Sequence, residues 1–99
     1  MTIDCKLNGT ELTIAPDGRL DSTTALQLEA AIKEHIDGVT KLTFDFASLD
    51  YLSSAGLRVL LGAQKIMNKQ GSMEMIHVNE PVRDVLALTG MLDIFTVIS

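Results

Sequence analysis

The sequence contains one cysteine, no tryptophan and two prolines, and it carries more acid than base. Each scarcity excludes something. A single cysteine cannot form an internal disulfide, and with two scattered histidines it supplies no zinc site. No metal or cofactor is therefore expected, and the chain reads as a reduced, cytoplasmic protein. Eight basic residues against thirteen acidic ones leave a net charge of −5 and a pI near 4.7. That balance, with no basic run, argues against direct nucleic-acid binding and against an anionic lipid surface. No stretch approaches the roughly 18 consecutive apolar residues of a membrane span, so no membrane insertion is expected. The start, MTIDCKLNGT, carries an acid and alternates in polarity, which is not how a signal peptide reads. Aromatics make up 4% of residues, so the core must be aliphatic. Leu, Ile and Val supply 28 residues of a 46% hydrophobic content, enough to exclude intrinsic disorder. Ninety-nine residues suit one small domain spanning 1–99.

What is present alternates between periods of two and of three to four. Ile3, Cys5 and Leu7 alternate with Asp4 and Lys6, Asn8-Gly9 signals a tight turn, and alternation resumes at Leu12 and Ile14. This predicts a β-hairpin whose second strand ends at Pro16-Asp17-Gly18. Cys5, in line with Ile3 and Leu7, reads as a small buried apolar residue. Asp21-Ser22-Thr23-Thr24 offers several caps for a helix in which Leu28, Ala31, Ile32, His35 and Ile36 share a face, closed by Gly38. Lys41 to Phe46 returns to period two. A second helix runs from Leu57 to about Gln70, with an unusually wide apolar face, so it should be the most buried. Gly71 stops it, Met73 to Val78 reads as a strand, and Glu80-Pro81 opens a third helix to about Leu88. Ile94 to Ile98 closes the chain as a short strand. The order β-β-α-β-α-β-α-β predicts an α/β fold with a mixed sheet of about five strands, opened by the hairpin. Polar residues at alternate strand positions imply helices mainly on one face and a largely wet second face.

The chemistry concentrates in Leu49-Asp50-Tyr51-Leu52-Ser53-Ser54-Ala55-Gly56-Leu57. Two hydroxyl residues sit where a helix begins, at free N–H groups and the positive end of the helix dipole. A phosphate there would be stabilised locally, and Gly56 would keep the approach to the backbone open. The structural alternative is that Ser53 is only an N-cap and Ser54 a tolerated first-turn residue. Arg58, Gly62, Lys65 and Lys69 share a polar stripe on the same helix, either a solvated face or a surface for an acidic partner. Asp45 at a strand end invites comparison with phosphoacceptor receivers, but those need a doubly covered sheet and a longer chain, and His35 and His77 read as structural. A G-x-S-x-G elbow is absent, the histidines lack partners at metal-ligand spacing, and no G-x-x-x-x-G-K-[ST] loop occurs.

Tyr51 to Leu61 (YLSSAGLRVLL) resembles the signature of the STAS domain of bacterial anti-sigma factor antagonists. Gly18-Arg19-Leu20-Asp21, followed by Ala25, resembles the family's turn before its first helix. Pro81 to Leu92 resembles its last helix. The resemblance implies a regulatory binding module rather than an enzyme. Its partners would be an anti-sigma factor that is also an ATP-dependent serine kinase, and a PP2C-type phosphatase that resets the switch. It implies phosphorylation at Ser54, with Ser53 as the alternative. It also implies partner contacts through Asp21, Ser53, Ser54, Gly56 and Arg58. The position before the acceptor is often Asp in the family and is Ser53 here. Asp21 resembles an acidic residue that supports phosphorylation and partner contact, and it also reads as the cap of the next helix. The same domain resembles the accessory subunits of lipid-transporting ABC systems, where this helix face would dock on an ATPase without phosphorylation.

Overall fold

Asn8 pairs with Glu11 across a two-residue loop in which Gly9 takes a left-handed φ of 64°. This turn joins β1 (Thr2–Asn8) to β2 (Glu11–Leu20), as the Asn-Gly signal predicts. The structure, a computed structural model, describes residues 1–98. After the hairpin come α1 (Thr24–His35), β3 (Lys41–Asp45), β4 (Leu49–Leu52), α2 (Ser54–Gln70) and β5 (Ser72–Ile76). The chain ends with α3 (Glu80–Leu88), a 3-10 turn at Met91–Asp93, and β6 (Thr96–Ile98). Apart from the hairpin, every strand pair is parallel, giving a mixed sheet ordered β1-β2-β3-β5-β6.

The register explains the alternation. Lys6, Thr13, Thr43, Glu74 and Thr96 form one row across five strands. The adjoining row is Cys5, Ile14, Phe44, Met75 and Val97. Successive residues of a strand point to opposite faces, so one face is polar and the other apolar. The apolar face joins the helices in a core that includes Leu12, Ile14, Leu42, Phe44, Met73 and Met75. On the polar face, Lys41 pairs with Glu74 at 3.5 Å, and the more apolar positions gather at Ile76 and Ile98, in register with Asp45. α2 inserts Leu57, Leu60, Ala63 and Met67 into the core, more than α1 or α3 contributes. Each buried leucine or methionine contributes about 1.5–3 kcal/mol. Gln70, at the end of α2, donates from Nε2 to the carbonyls of Ile36 (2.9 Å) and Val39 (2.6 Å) and so ties down the loop into β3. Among the described residues no helix is long and apolar enough to cross a membrane.

Several expectations need correction. The sheet has a sixth strand: β4 pairs with the far end of β2, at Gly18 to Leu20, while β3 pairs with Glu11 to Ile14. β2 therefore does not stop at Pro16-Asp17-Gly18. Residues 15–17 pair only with β1, so Pro16, which has no N–H, sits where β2 passes from one parallel neighbour to the other. Cys5 is half-buried rather than enclosed, because β1 is an edge strand; burial still pushes its thiol pKa up, with Asp4 and Glu34 adding to the shift. β5 ends at Ile76, two residues short of Val78. The expected last strand starts at Thr96 rather than Ile94, because the amides of Ile94 and Phe95 turn back to the Met91 carbonyl after the 3-10 turn, which leaves three residues of β6.

Candidate functional site

β2 and β4 end together. Arg19 pairs with Tyr51 and Leu20 with Leu52, so the next residues, Asp21 and Ser53, leave the sheet side by side. The Ser53 amide fastens the two exits by donating to the Leu20 carbonyl at 2.9 Å. Beside them the Arg19 guanidinium lies over the Tyr51 ring, 4.2 Å from its centroid.

Ser53 is extended (φ −97°, ψ 171°) and caps α2: its Oγ accepts from the Gly56 amide at 3.2 Å. Its carbonyl accepts from Leu57 at 2.9 Å. A helix start leaves four amide donors without intrahelical partners. Here Ser53 donates to Leu20 and Gly56 donates to the cap, which leaves the amides of Ser54 and Ala55 open. Ser54 is the first helical residue and is exposed, and among the described residues no hydrogen bond engages its hydroxyl. The two serines thus have different tasks, one occupied in the cap and one free.

Asp21 performs the capping role. Its Oδ1 accepts from the amides of Thr23 and Thr24, both at 3.0 Å, and its own amide donates to Thr24 Oγ1 at 2.8 Å. The Thr24 hydroxyl in turn donates to the Arg19 carbonyl at 2.6 Å. The Thr24 amide bond, helped by the Thr24 hydroxyl, the Thr23 amide and the Arg19 charge, outweighs desolvation and holds the Asp21 carboxyl below its ordinary pKa. The cap therefore spans Asp21 to Thr24, while Thr23, the residue just before the helix, contributes no side-chain cap bond.

Gly56 corrects an expectation. It does not open the approach to the backbone; it is buried, and a Cβ there would lie 2.6 Å from Leu20 Cγ and 2.9 Å from Leu52 Cδ1. It lets α2 start directly over the paired ends of β2 and β4. Arg58 is exposed one turn further along α2, as are Gly62, Lys65 and Lys69.

Two features were not anticipated from sequence. The Arg19–Tyr51 stack depends on the pairing of β4 with β2, which has no local signal. Asn79 caps α3, accepting from Val82 at 3.0 Å, and donates to the Leu49 carbonyl at 2.7 Å, which anchors β4 from its other side. On the polar face, His77 Nδ1 lies 2.9 Å from Asp45 Oδ1, and the same oxygen accepts from Ala47. Burial pushes the Asp45 carboxyl up, but these bonds and the His77 charge together hold it below its ordinary value. His35 Nδ1 lies 2.9 Å from the Ala31 carbonyl of its own helix. Among the described residues no group of three or more His, Cys, Asp or Glu side chains is arranged to hold a metal ion.

Known proteins resemble this chain in sequence and in fold. The chain is 38% identical over 99 residues to BtrV of Bordetella bronchiseptica, which carries the provisional name anti-sigma factor antagonist; 98% of this chain and 84% of that protein are covered. It is 32% identical to an anti-sigma F factor antagonist of Paenibacillus polymyxa, covering 87% of this chain and 76% of that one. Among solved structures it matches SpoIIAA of Bacillus in its unphosphorylated form, with a TM-score of 0.84 at 20% identity, covering 99% of this chain and 89% of that one. The phosphorylated form of SpoIIAA matches with a TM-score of 0.76, also at 20% identity, over 99% of this chain and 92% of that one. The family model for the STAS domain matches residues 2–99, and the chain belongs to that family.

Proposed function

We propose that this protein is an anti-sigma factor antagonist that works as a partner switch, with Ser54 as its phosphorylation site. The observation that carries the reading is the division of labour at the start of α2. Ser53 is held in the cap, while Ser54 presents a free hydroxyl beside two open amides, one residue past the point where Asp21 and Ser53 leave the sheet side by side. Unphosphorylated, the protein binds an anti-sigma factor and displaces the sigma factor. That anti-sigma factor is also a serine kinase. It forms a bond from Ser54 Oγ to the γ-phosphorus of ATP as the bond to ADP breaks and the hydroxyl proton leaves. The phosphate adds about −1.5 to −2 charge with three acceptor oxygens. The open amides of Ser54 and Ala55 and the helix dipole stabilise it within the folded domain. In a packed interface the same charge must be desolvated, so it weakens binding. A PP2C-type phosphatase then restores the binding form. Asp21, Ser53 and Arg58 flank the acceptor and contact the partner, with Gly56 supporting them from below. The relatives' names and the existence of SpoIIAA in two phosphorylation states support this reading.

The test is binding of the purified chain to the anti-sigma factor of its own cell, together with phosphosite mapping. Ser54→Ala should bind like the unmodified wild type and resist phosphorylation, and Ser54→Asp should bind on the order of tenfold more weakly or worse. Equal binding by both variants, or a transporter ATPase co-purifying with unmodified Ser54, would overturn the reading.

A further inference from the structure

Nothing inside the chain accounts for Gly62. It stands at the midpoint of α2, and a Cβ there would meet no atom within 4 Å, whereas one on Gly56 or Gly71 would collide with its neighbours. An interior helix glycine weakens its helix relative to alanine, so the space above Gly62 is empty at a cost to the isolated molecule. The residue borders a shallow cleft of about 90 Å³ between α1 and α2, walled by Ile32, Val59, Ala63 and Ile66, with Glu29 and Lys33 of α1 at its edge. Apolar side chains stand open along it: Ile66 is 39% exposed and Val59 is half-buried.

The glycine also lies within a basic stripe. At about 100° per residue, Ser54, Arg58, Gly62, Lys65 and Lys69 fall within an arc of about 80° on the helix. α2 carries three cations and no acid in a chain whose net charge is −5. Among the described residues Arg58, Lys65 and Lys69 belong to none of the three ion pairs; one of these, Lys33–Glu29 at 3.6 Å, borders the cleft from α1 and its two charges offset each other. A cleared backbone, open apolar side chains and free cations therefore converge on one surface.

We infer that this face receives an acidic amphipathic helix of the anti-sigma factor, which sets its apolar side on Val59 and Ile66 and its carboxylates on Arg58, Lys65 and Lys69. Gly62 lets the two helix backbones approach closely. A second copy of this chain fits poorly, because a two-fold contact through the stripe would oppose cation to cation. The inference takes the partner's identity from the proposed function and extends the interface from the helix start to the middle of α2. A phosphate on Ser54 would then sit at the head of the same stripe, four residues from Arg58, and would compete with the partner's carboxylates for that cation.

The experiment is calorimetric titration of the unphosphorylated chain with the purified anti-sigma factor of its own cell. Gly62→Trp and the double variant Lys65→Glu/Lys69→Glu should each weaken binding by on the order of tenfold to a hundredfold. Wild-type affinity should fall as salt rises. Lys6→Glu, on the polar face of the sheet, should bind like wild type. Thermal unfolding of each variant controls for folding, and the double variant alters exposed side chains only, so it decides the matter if Gly62→Trp fails to fold. Wild-type binding by the double variant would overturn the inference and leave the proposed function standing. So would a dimer of the free chain that Gly62→Trp dissociates. No binding by wild type would instead overturn the proposed function, and this inference with it.

Discussion

Two glycines in one helix should respond to the same substitution with opposite signs. In Gly56→Ala the new Cβ would lie 2.6 and 2.8 Å from Leu20 Cγ and Cδ2, and 2.9 Å from Leu52 Cδ1. Carbon pairs prefer about 3.5–4.0 Å. Leu20 is 0% exposed and Leu52 is 2% exposed, so neither can swing out into water. Overpacking of this kind costs about 1–3 kcal/mol, and alanine's better helix propensity offsets at most about 1 kcal/mol of it. The net expectation is a loss of about 1–2 kcal/mol. Gly62→Ala meets nothing within 4 Å, so the propensity term acts alone and stability should rise by about 0.5–1 kcal/mol. For a domain of this size each kcal/mol moves Tm by roughly 4–8 °C. Urea unfolding followed by far-UV circular dichroism should place the two midpoints on either side of wild type, with similar m-values. Midpoints shifted in the same direction, or Gly56→Ala as stable as wild type, would refute the packing of α2 onto the Leu20–Leu52 pair.

Other consequences follow from the hydrogen bonds. Ser53→Ala removes the α2 cap and should cost about 1 kcal/mol in the same assay, while Ser54→Ala should stay within about 0.5 kcal/mol of wild type; reversed effects would mean the two serines have been assigned the wrong tasks. Asn79→Ala loses both a cap and the donor to the Leu49 carbonyl and should cost about 1–2 kcal/mol. Asn79→Asp keeps the cap acceptor and should recover part of that loss; if it is no better than alanine, the cap contributes nothing. Asp21 and Asp45 are both held below the ordinary carboxyl value of 3.8. A depressed folded pKa contributes stability above that value, which is lost as pH falls through the folded pKa. The Tm gaps separating wild type from Asp21→Asn and from Asp45→Asn should therefore narrow below about pH 4. Gaps that hold constant into strong acid would rule out this linkage.

How far the sequence revealed the fold depended on whether the cause was local. The Asn8-Gly9 hairpin and the start of α3 at Glu80-Pro81 rest on near neighbours, and both appear where expected. The alternating rows were visible too, because each strand carries its own period of two. β4 was missed because Leu49 and Leu52 are its buried positions and Asp50 and Tyr51 its exposed ones, a four-residue pattern without alternation. It is a strand only because β2 runs on past Pro16, where a proline reads as a stop. The burial of Gly56 has no local signal for the same reason, since it comes from Leu20, thirty-six positions earlier in the chain. The segment containing the candidate site could be found from its serines and its place before a helix. Its neighbours across the sheet could not.

The pairing of β4 with β2 is what would let the fold tolerate a charge at Ser54, the proposed phosphorylation site. β2 gives its first four residues to β3 and its last three to β4, so the turn into α1 and the turn into α2 start from one platform fixed by the bond from Ser53 N to Leu20 O. The cap bond belongs to Ser53 and the cap at α1 to Asp21, so a group added to the Ser54 hydroxyl displaces neither. Asp and Ser are both strong N-caps. Ser53 therefore keeps the helix start intact without placing a carboxylate beside Ser54, the proposed acceptor. Below the surface, Gly56 leaves α2 no slack against Leu20 and Leu52. The helix start is rigid, and a phosphate on Ser54 would be felt by whatever docks on it rather than absorbed by movement of the helix.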